Sequence, residues 1–223
     1  MKPLQVLITG TTGMVGEGVL HVCLQNPKVA KVVVLNRKTL GWSHPKMTEI
    51  IHSDFYNLKA VENQLTGLDA CFFCLGVSSV GMDADTYYRV TYTLTMHVAE
   101  TLSRLNQDMT FTYVSGMGTK SSREGGKHWS LVKGKTEYDL SQLPFKQVFA
   151  YRPGFIRPIK GLQHTHPYYR YINWTFPIGR LLYPNAFSTM EEVALSMIEV
   201  SQNGCEYAVL NGKEIRKTAL KAR

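Results

Sequence analysis

The sequence predicts an α/β protein, a doubly wound parallel sheet with a small C-terminal lobe. Three observations predict it. Short, near-continuous apolar runs alternate with segments of helical period as far as Arg152, the pattern of parallel strands buried on both faces. A glycine-rich turn joins the first apolar run directly to the first helix. Beyond Arg152 the alternation gives way to prolines and aromatics.

Each element follows from its own pattern. "LQVLIT" (Leu4 to Thr9) is an apolar β run, and Gly13 to Gln25 carries helical spacing at Val15, Val19, Leu20 and Cys23. Pro27 punctuates the turn before "KVVVLN", the second strand. Thr48 to Ile51 forms a third short strand, followed by a helix around Leu58 to Leu65. "DACFFCL" is the fourth strand, a long helix runs from Asp83 to Leu105, and "TFTYVS" is the fifth strand. A helix over Trp129 to Leu143 then leads to "KQVFAYR", the sixth strand. Residues 153–187 hold Phe155, Tyr168, Tyr169, Tyr171, Trp174, Phe176, Tyr183 and Phe187, too apolar for a linker and too irregular for a βα unit. They are expected to form a substrate-side lobe within a single domain of residues 1–223. The aromatics are expected to serve as that lobe's core, with an apolar substrate pocket as the alternative. A helix from Met190 to Gln202 and a strand near Tyr207 to Leu210 close the chain.

Composition narrows the function classes. The 44% apolar and 19% charged residues supply a core and argue against disorder. The longest apolar stretch, Ala70 to Val77, is far shorter than the roughly 20 residues of a membrane span, and no secretory signal opens the chain. A soluble, cytoplasmic protein with no membrane partner is therefore expected. The formal net charge is +8, yet no helix-turn-helix, zinc-finger or RNA-binding pattern accompanies it, so nucleic acid ranks last among partners. Lys213, Arg216, Lys217, Lys221 and Arg223 read as a solvated tail. Of the four cysteines (Cys23, Cys71, Cys74 and Cys205), Cys71 and Cys74 form a CxxC inside a strand, where residues three apart face opposite ways. They are expected to be core thiols and not a metal or disulfide pair. His164 and His166 form an HxH with no third ligand nearby, read as an exposed loop.

The residues with the most chemistry are "TGTTGMVG": Gly10, Thr11, Thr12, Gly13, Met14, Val15 and Gly16. A strand-to-helix turn of this kind brings the free N–H groups of a helix start to a pyrophosphate. The second strand ends in Asn36, Arg37 and Lys38, where an NAD site usually places an acid for the ribose diol. A guanidinium pairs with a 2′-phosphate and a carboxylate repels it, so NADP (NADPH) is the expected cofactor. No acid stands near Arg37 in the sequence to neutralise it.

The GxxGxxG spacing, together with "SLVKGKTE" and "YRPGFIRP", resembles the atypical short-chain dehydrogenase/reductase superfamily, in the branch of Tat-interacting oxidoreductase-like and NmrA-like proteins. The resemblance covers about the first 160 residues. It implies that Asp54 and Phe55 border the adenine, and that Leu75, Gly76 and Val77 run beside the nicotinamide ribose. It also implies a Ser that orients a carbonyl, a Tyr that moves the proton, and a Lys that holds the ribose and lowers the Tyr pKa. Ser115 matches the Ser and Lys133 the Lys, but Trp129 occupies the Tyr position and no YxxxK occurs anywhere. An indole N–H donates without a usable acid–base pKa.

Three readings stay open. Another group serves, with His128, Tyr87 and Tyr88 as candidates; or the reaction needs no such acid; or the protein binds NADP(H) without turnover, as a redox sensor or scaffold with a protein partner. The leading expectation is an NADP-dependent oxidoreductase acting on a small carbonyl-type substrate, with a non-catalytic regulator or an NAD(P)-dependent epimerase or isomerase as alternatives.

Overall fold

Alternation along the strands sorts the core into two halves. Consecutive strand residues point to opposite faces. Val6, Ile8, Val32, Val34 and Phe72 therefore enter one core, while Leu7, Val33, Leu35, Cys71 and Phe73 enter the other. The computed structural model describes residues 2–120, 126–164 and 176–222. In chain order its elements are β1 (Leu4–Thr9), α1 (Met14–Gln25), β2 (Val29–Asn36), β3 (Met47–Ile51), β4 (Ala70–Phe73) and α2 (Ala84–Tyr88). A π turn (Arg89–Thr93) joins α2 to α3 (Leu94–Leu105); β5 (Thr110–Val114), α4 (His128–Ser141) and β6 (Gln147–Arg152) follow. The lobe holds β7 (Phe155–Arg157), α5 (Phe176–Leu182) and β8 (Phe187–Thr189). The last elements are α6 (Met190–Asn203), β9 (Val209–Asn211) and α7 (Gly212–Lys221).

The main sheet has seven strands in the order β3-β2-β1-β4-β5-β6-β9, all parallel. From β1 the chain builds outward through β2 and β3; from β4 it builds the other way. The crevice above β1 and β4 is thus the point where the winding reverses, the place where such sheets bind ligands. Register sets it in place: Leu7 lies opposite both Val33 and Cys71. Val19, Leu20 and Cys23 of α1 and Val193 and Met197 of α6 cover one face. Met96, Ala99 and Leu102 of α3 and Leu140 of α4 cover the other. The fold is the doubly wound α/β sheet that the sequence predicts. Cys71 and Cys74 do face opposite cores, and all four cysteines are free thiols.

Two expectations are corrected. The helix expected over Leu58 to Leu65 is only a 3-10 turn at Glu62–Gln64. Leu58, Val61 and Leu65 are buried at the anticipated spacing, but the backbone closes i→i−3 bonds (Val61 to Leu58, Gln64 to Val61, Leu65 to Glu62). Eight residues do not offset the cost of helix nucleation when the same apolar contacts are reached by turns. Of the basic C-terminal residues, Lys213, Lys217 and Lys221 are solvent-exposed as expected, but the segment is a helix and not a tail. Lys213, Arg216, Lys217 and Lys221 ride on α7, which starts from an Asn211–Glu214 capping box and buries Ile215 and Ala219. Arg223 lies outside the described residues.

In the lobe, β7 pairs in parallel with β8, and Phe155, Phe176 and Phe187 pack with ring centroids 5.6–6.1 Å apart. These three serve as core, whereas Tyr183 is exposed. His166, Tyr168, Tyr169, Tyr171 and Trp174 lie outside the described residues.

Candidate functional site

The glycine turn is built by close approach. Gly10 has φ +73°, a conformation open to glycine, and a Cβ there would stand 2.7 Å from the Cys74 carbonyl and the Leu75 Cα. The turn therefore lies directly against the chain leaving β4, where Leu75 is half-buried and Gly76 and Val77 are exposed. A Cβ at Gly16 would overlap the Gly10 carbonyl, so the first turn of α1 is pressed onto the loop. Gly13 differs: a Cβ there would come only to 3.5 Å of the Gly10 oxygen. It is the N-cap of α1 and offers no side-chain cap, which leaves the N–H groups of the first turn for an anion.

Thr11 Oγ1 donates to Asn36 Oδ1 at 2.9 Å, both side chains buried, and so ties the turn to the end of β2. Arg37 and Lys38 follow, exposed, and Arg37 has no ion pair among the described residues. An acid does stand close by, contrary to the sequence reading. Glu49 of β3 accepts from Leu40 N (2.9 Å), Thr39 Oγ1 (2.8 Å) and Asn36 Nδ2 (3.4 Å). Its carboxylate is spent on fixing the loop after β2. Asp54 is exposed and accepts from Tyr56 N in a local turn, while Phe55 is 2% exposed and packs in the core, so its ring offers no face to an adenine. Of the HxH pair only His164 lies among the described residues: Gln163 N and His164 N donate to Glu17 of α1 at 2.7 and 2.8 Å. A cavity of about 180 Å³ lies between them, lined by Thr11, Thr12, Leu40, Trp42 and His164.

At the end of β5 the two catalytic candidates meet. Lys133, on α4, donates to the carbonyl oxygen of Ser115 at 3.1 Å and lies over the Tyr113 ring, 5.6 Å from its centroid. Burial pushes the Lys133 ammonium down to about 8, opposed by the nearby Glu137 carboxylate. Glu137 itself takes paired hydrogen bonds from the Arg152 guanidinium, at 3.0 and 3.1 Å from Nε. The Ser115 hydroxyl is 3.0 Å from that of Thr119. Thr119 spends its one proton on the Gly116 carbonyl (2.8 Å), so Ser115 is the donor of the pair. Sequence reasoning missed Thr119; its only signal was the short loop after Ser115. The Trp129 indole borders the same loop, with its edge 3.4 Å from where a Gly118 Cβ would stand.

Lys133 also makes stability depend on pH. Its folded value of about 8 lies below the ordinary 10.5, so between those values the unfolded chain binds more protons and stability rises with pH. Lys133→Met is expected to stabilise the protein at pH 7 and to abolish the rise between pH 8 and 10.5. Urea titrations of both proteins at pH 7 and 10 check this; an equal rise in both would refute it.

The remaining candidates for the missing acid do not join this group. His128 Nε2 pairs with the Ala84 carbonyl at 3.2 Å and sits edge-on to Tyr87. Tyr87 is 2% exposed, and Tyr88 packs on Tyr92, 4.8 Å between centroids.

Known proteins share both the sequence pattern and the fold. Fmp52 from Aspergillus clavatus is 29% identical over 158 residues, covering 68% of this chain and 66% of that protein. HTATIP2 from Rattus norvegicus is 26% identical over 158 residues, covering 70% of this chain and 64% of that protein. This chain thus spans slightly less than two thirds of these relatives. Among solved structures, the Bordetella bronchiseptica enzyme WbmF in complex with NAD+ superposes with a TM-score of 0.64 at 16% identity, over 99% of this chain and 78% of that one. The expected cytoplasmic location is overturned, because the Fmp52 relatives are mitochondrial proteins by name. Residues 6–151, from β1 to β6, match the NAD dependent epimerase/dehydratase family, and the chain belongs to it.

Proposed function

We propose that this chain binds NADP(H) across the crevice above β1, β4 and β5 and is an oxidoreductase acting on a small carbonyl-type substrate. The observation that carries this reading is the meeting of Lys133 with Ser115 at the end of β5, two strands from the glycine turn. The turn suits a pyrophosphate: Gly10 and Gly16 fix its shape, and Gly13 leaves ordinary clearance above an uncapped helix start. Arg37 suits a 2′-phosphate, being exposed and without an ion pair among the described residues, while Glu49 is engaged by Leu40 and Thr39. When bound, the nicotinamide supplies or accepts the hydride. Ser115 orients the substrate oxygen by turning its hydroxyl proton from Thr119 toward it, and Lys133 carries its charge beside the ribose.

A fluorescence titration of NADPH against NADH tests the reading. The wild type is expected to prefer NADPH, and Arg37→Ala to lose roughly 10- to 100-fold in NADPH affinity with little change for NADH, the value of one charge-assisted pair. Equal affinities in the wild type refute the NADP assignment; no binding of either refutes the whole reading.

Trp129 favours a second reading, a non-catalytic NADP(H)-responsive regulator acting on a protein partner. NADPH binding with no turnover across aldehydes, ketones and quinones would select it.

A further inference from the structure

We propose that Lys133 takes over the role left open at Trp129 and is itself the proton donor to the reacting oxygen of the substrate. This rests on the oxidoreductase reading above. The geometry removes the other donors in turn. Ser115 directs its hydroxyl proton to Thr119, and Thr119 directs its own to the Gly116 carbonyl, so when Ser115 turns that proton to the substrate oxygen neither hydroxyl has a further proton to hand on. Trp129 borders the Gly118 loop with an indole that cannot give up a proton. His128 Nε2 is paired with the Ala84 carbonyl of α2, Tyr87 is buried at 2% exposure, and no contact among the described residues brings Tyr88, whose ring lies on Tyr92, to Ser115 or Lys133.

Lys133 is placed differently. An ammonium has three N–H bonds; two of them point to the carbonyls of Val114 and Ser115, at 3.5 and 3.1 Å. The third has no partner among the described residues, and the side chain is only half-buried. The titratable groups near it lie on α4, β5, β6 and α2. Glu137 lies one turn along α4 and is held by Arg152 of β6; Tyr113 of β5 lies beneath Nζ, with Tyr87 of α2 behind it. Burial keeps the Tyr113 phenol protonated throughout the working range, so it does not compete for the role. Burial also holds the Lys133 ammonium down at about 8, where it releases a proton far more readily than an exposed lysine.

The step balances. The hydride that a bound reduced nicotinamide would supply goes to the carbonyl carbon, and the C=O π pair moves onto oxygen. That oxygen takes the proton from Nζ, and the neutral amine regains one from solvent.

The test has two readouts. In the apo protein carrying ¹⁵N-labelled lysine, one side-chain resonance is expected to titrate near pH 8 and to be absent from Lys133→Arg. A midpoint at the ordinary lysine value overturns the proposal. With NADPH and a panel of aldehydes and ketones, wild-type kcat is expected to fall as pH rises through the same midpoint. Lys133→Arg keeps the charge but does not release a proton at these pH values. Its NADPH affinity is measured separately, so that a lost ribose contact is read in Kd, and its kcat at saturating NADPH is expected to fall about 100-fold or more. Trp129→Tyr in the Lys133→Arg background is expected to recover part of that loss by restoring a phenol. Wild-type turnover that survives Lys133→Arg within tenfold overturns this inference alone. Absence of wild-type turnover overturns the oxidoreductase reading, and this inference with it.

Discussion

Gly16→Ala is expected to destabilise the protein by about 3 kcal/mol or more, while Gly13→Ala, three residues away, leaves the fold intact and loses the nucleotide. The difference lies in what each new methyl meets. At Gly16 it overlaps the carbonyl of Gly10, a backbone group that is itself fixed against Cys74 and Leu75. Neither side can yield without moving α1 off the sheet, and Val19 and Leu20 of that helix are core residues. For a chain of this length the loss corresponds to roughly a 6–12 °C drop in Tm. At Gly13 the methyl stands 3.5 Å from its nearest neighbour, an ordinary contact, and the backbone at φ −119°, ψ 161° accepts any residue. Its stability should change by less than about 1 kcal/mol, because an Ala N-cap is only modestly worse. The methyl nevertheless occupies the space above the uncapped first turn of α1, and NADPH affinity is expected to fall at least tenfold. Thermal melts with NADPH titrations on both variants measure the contrast. A Gly13→Ala protein that binds NADPH normally would show that the anion does not sit on this turn.

Local chemistry is what the sequence made readable. The strand–glycine–helix junction at Gly10, Gly13 and Gly16 depends on residues within one turn of each other, and its conformation follows from their lack of a Cβ. The strands were legible because burial on both faces leaves near-continuous apolar runs such as Val32 to Leu35. Ser115 and Lys133 were legible as a pair through family resemblance, and the structure joins them through Nζ and the Ser115 carbonyl. What stayed hidden depends on register and long-range packing. Glu49 reaches the loop after β2 only because it pairs opposite Val34 in the parallel ladder, an offset no local pattern encodes. Glu17 meets Gln163 and His164 across 146 and 147 residues of chain. The Leu58–Leu65 segment misled for the opposite reason: its apolar spacing is that of a helix, yet burial of the same side chains is satisfied by consecutive turns.

Arg152→Leu is expected to cost about 3–5 kcal/mol, and Glu137→Leu combined with Arg152→Leu to cost clearly less than that single change. Both side chains are largely withdrawn from water, at 16% and 8% exposure, and meet through paired guanidinium–carboxylate bonds. Removing the guanidinium leaves the Glu137 carboxylate in a place where solvation is poor and its strongest partner is gone. Removing both charges trades the pair for apolar contact, next to a cavity of about 210 Å³ already lined by Leu140, Val148, Ala150 and Val209. The pair also couples the fold to the site. Glu137 is the carboxylate that opposes the downward push of burial on Lys133. In the double variant that support is lost, so the Lys133 ammonium is expected to titrate below about 8 and the alkaline fall in kcat to move to lower pH. Denaturant titrations of the single and double variants, read with their pH–rate profiles, test both halves. A double variant as unstable as Arg152→Leu would mean that the two side chains stabilise the fold independently. An unmoved alkaline limb would mean that the group titrating in the rate is not the one that Glu137 faces.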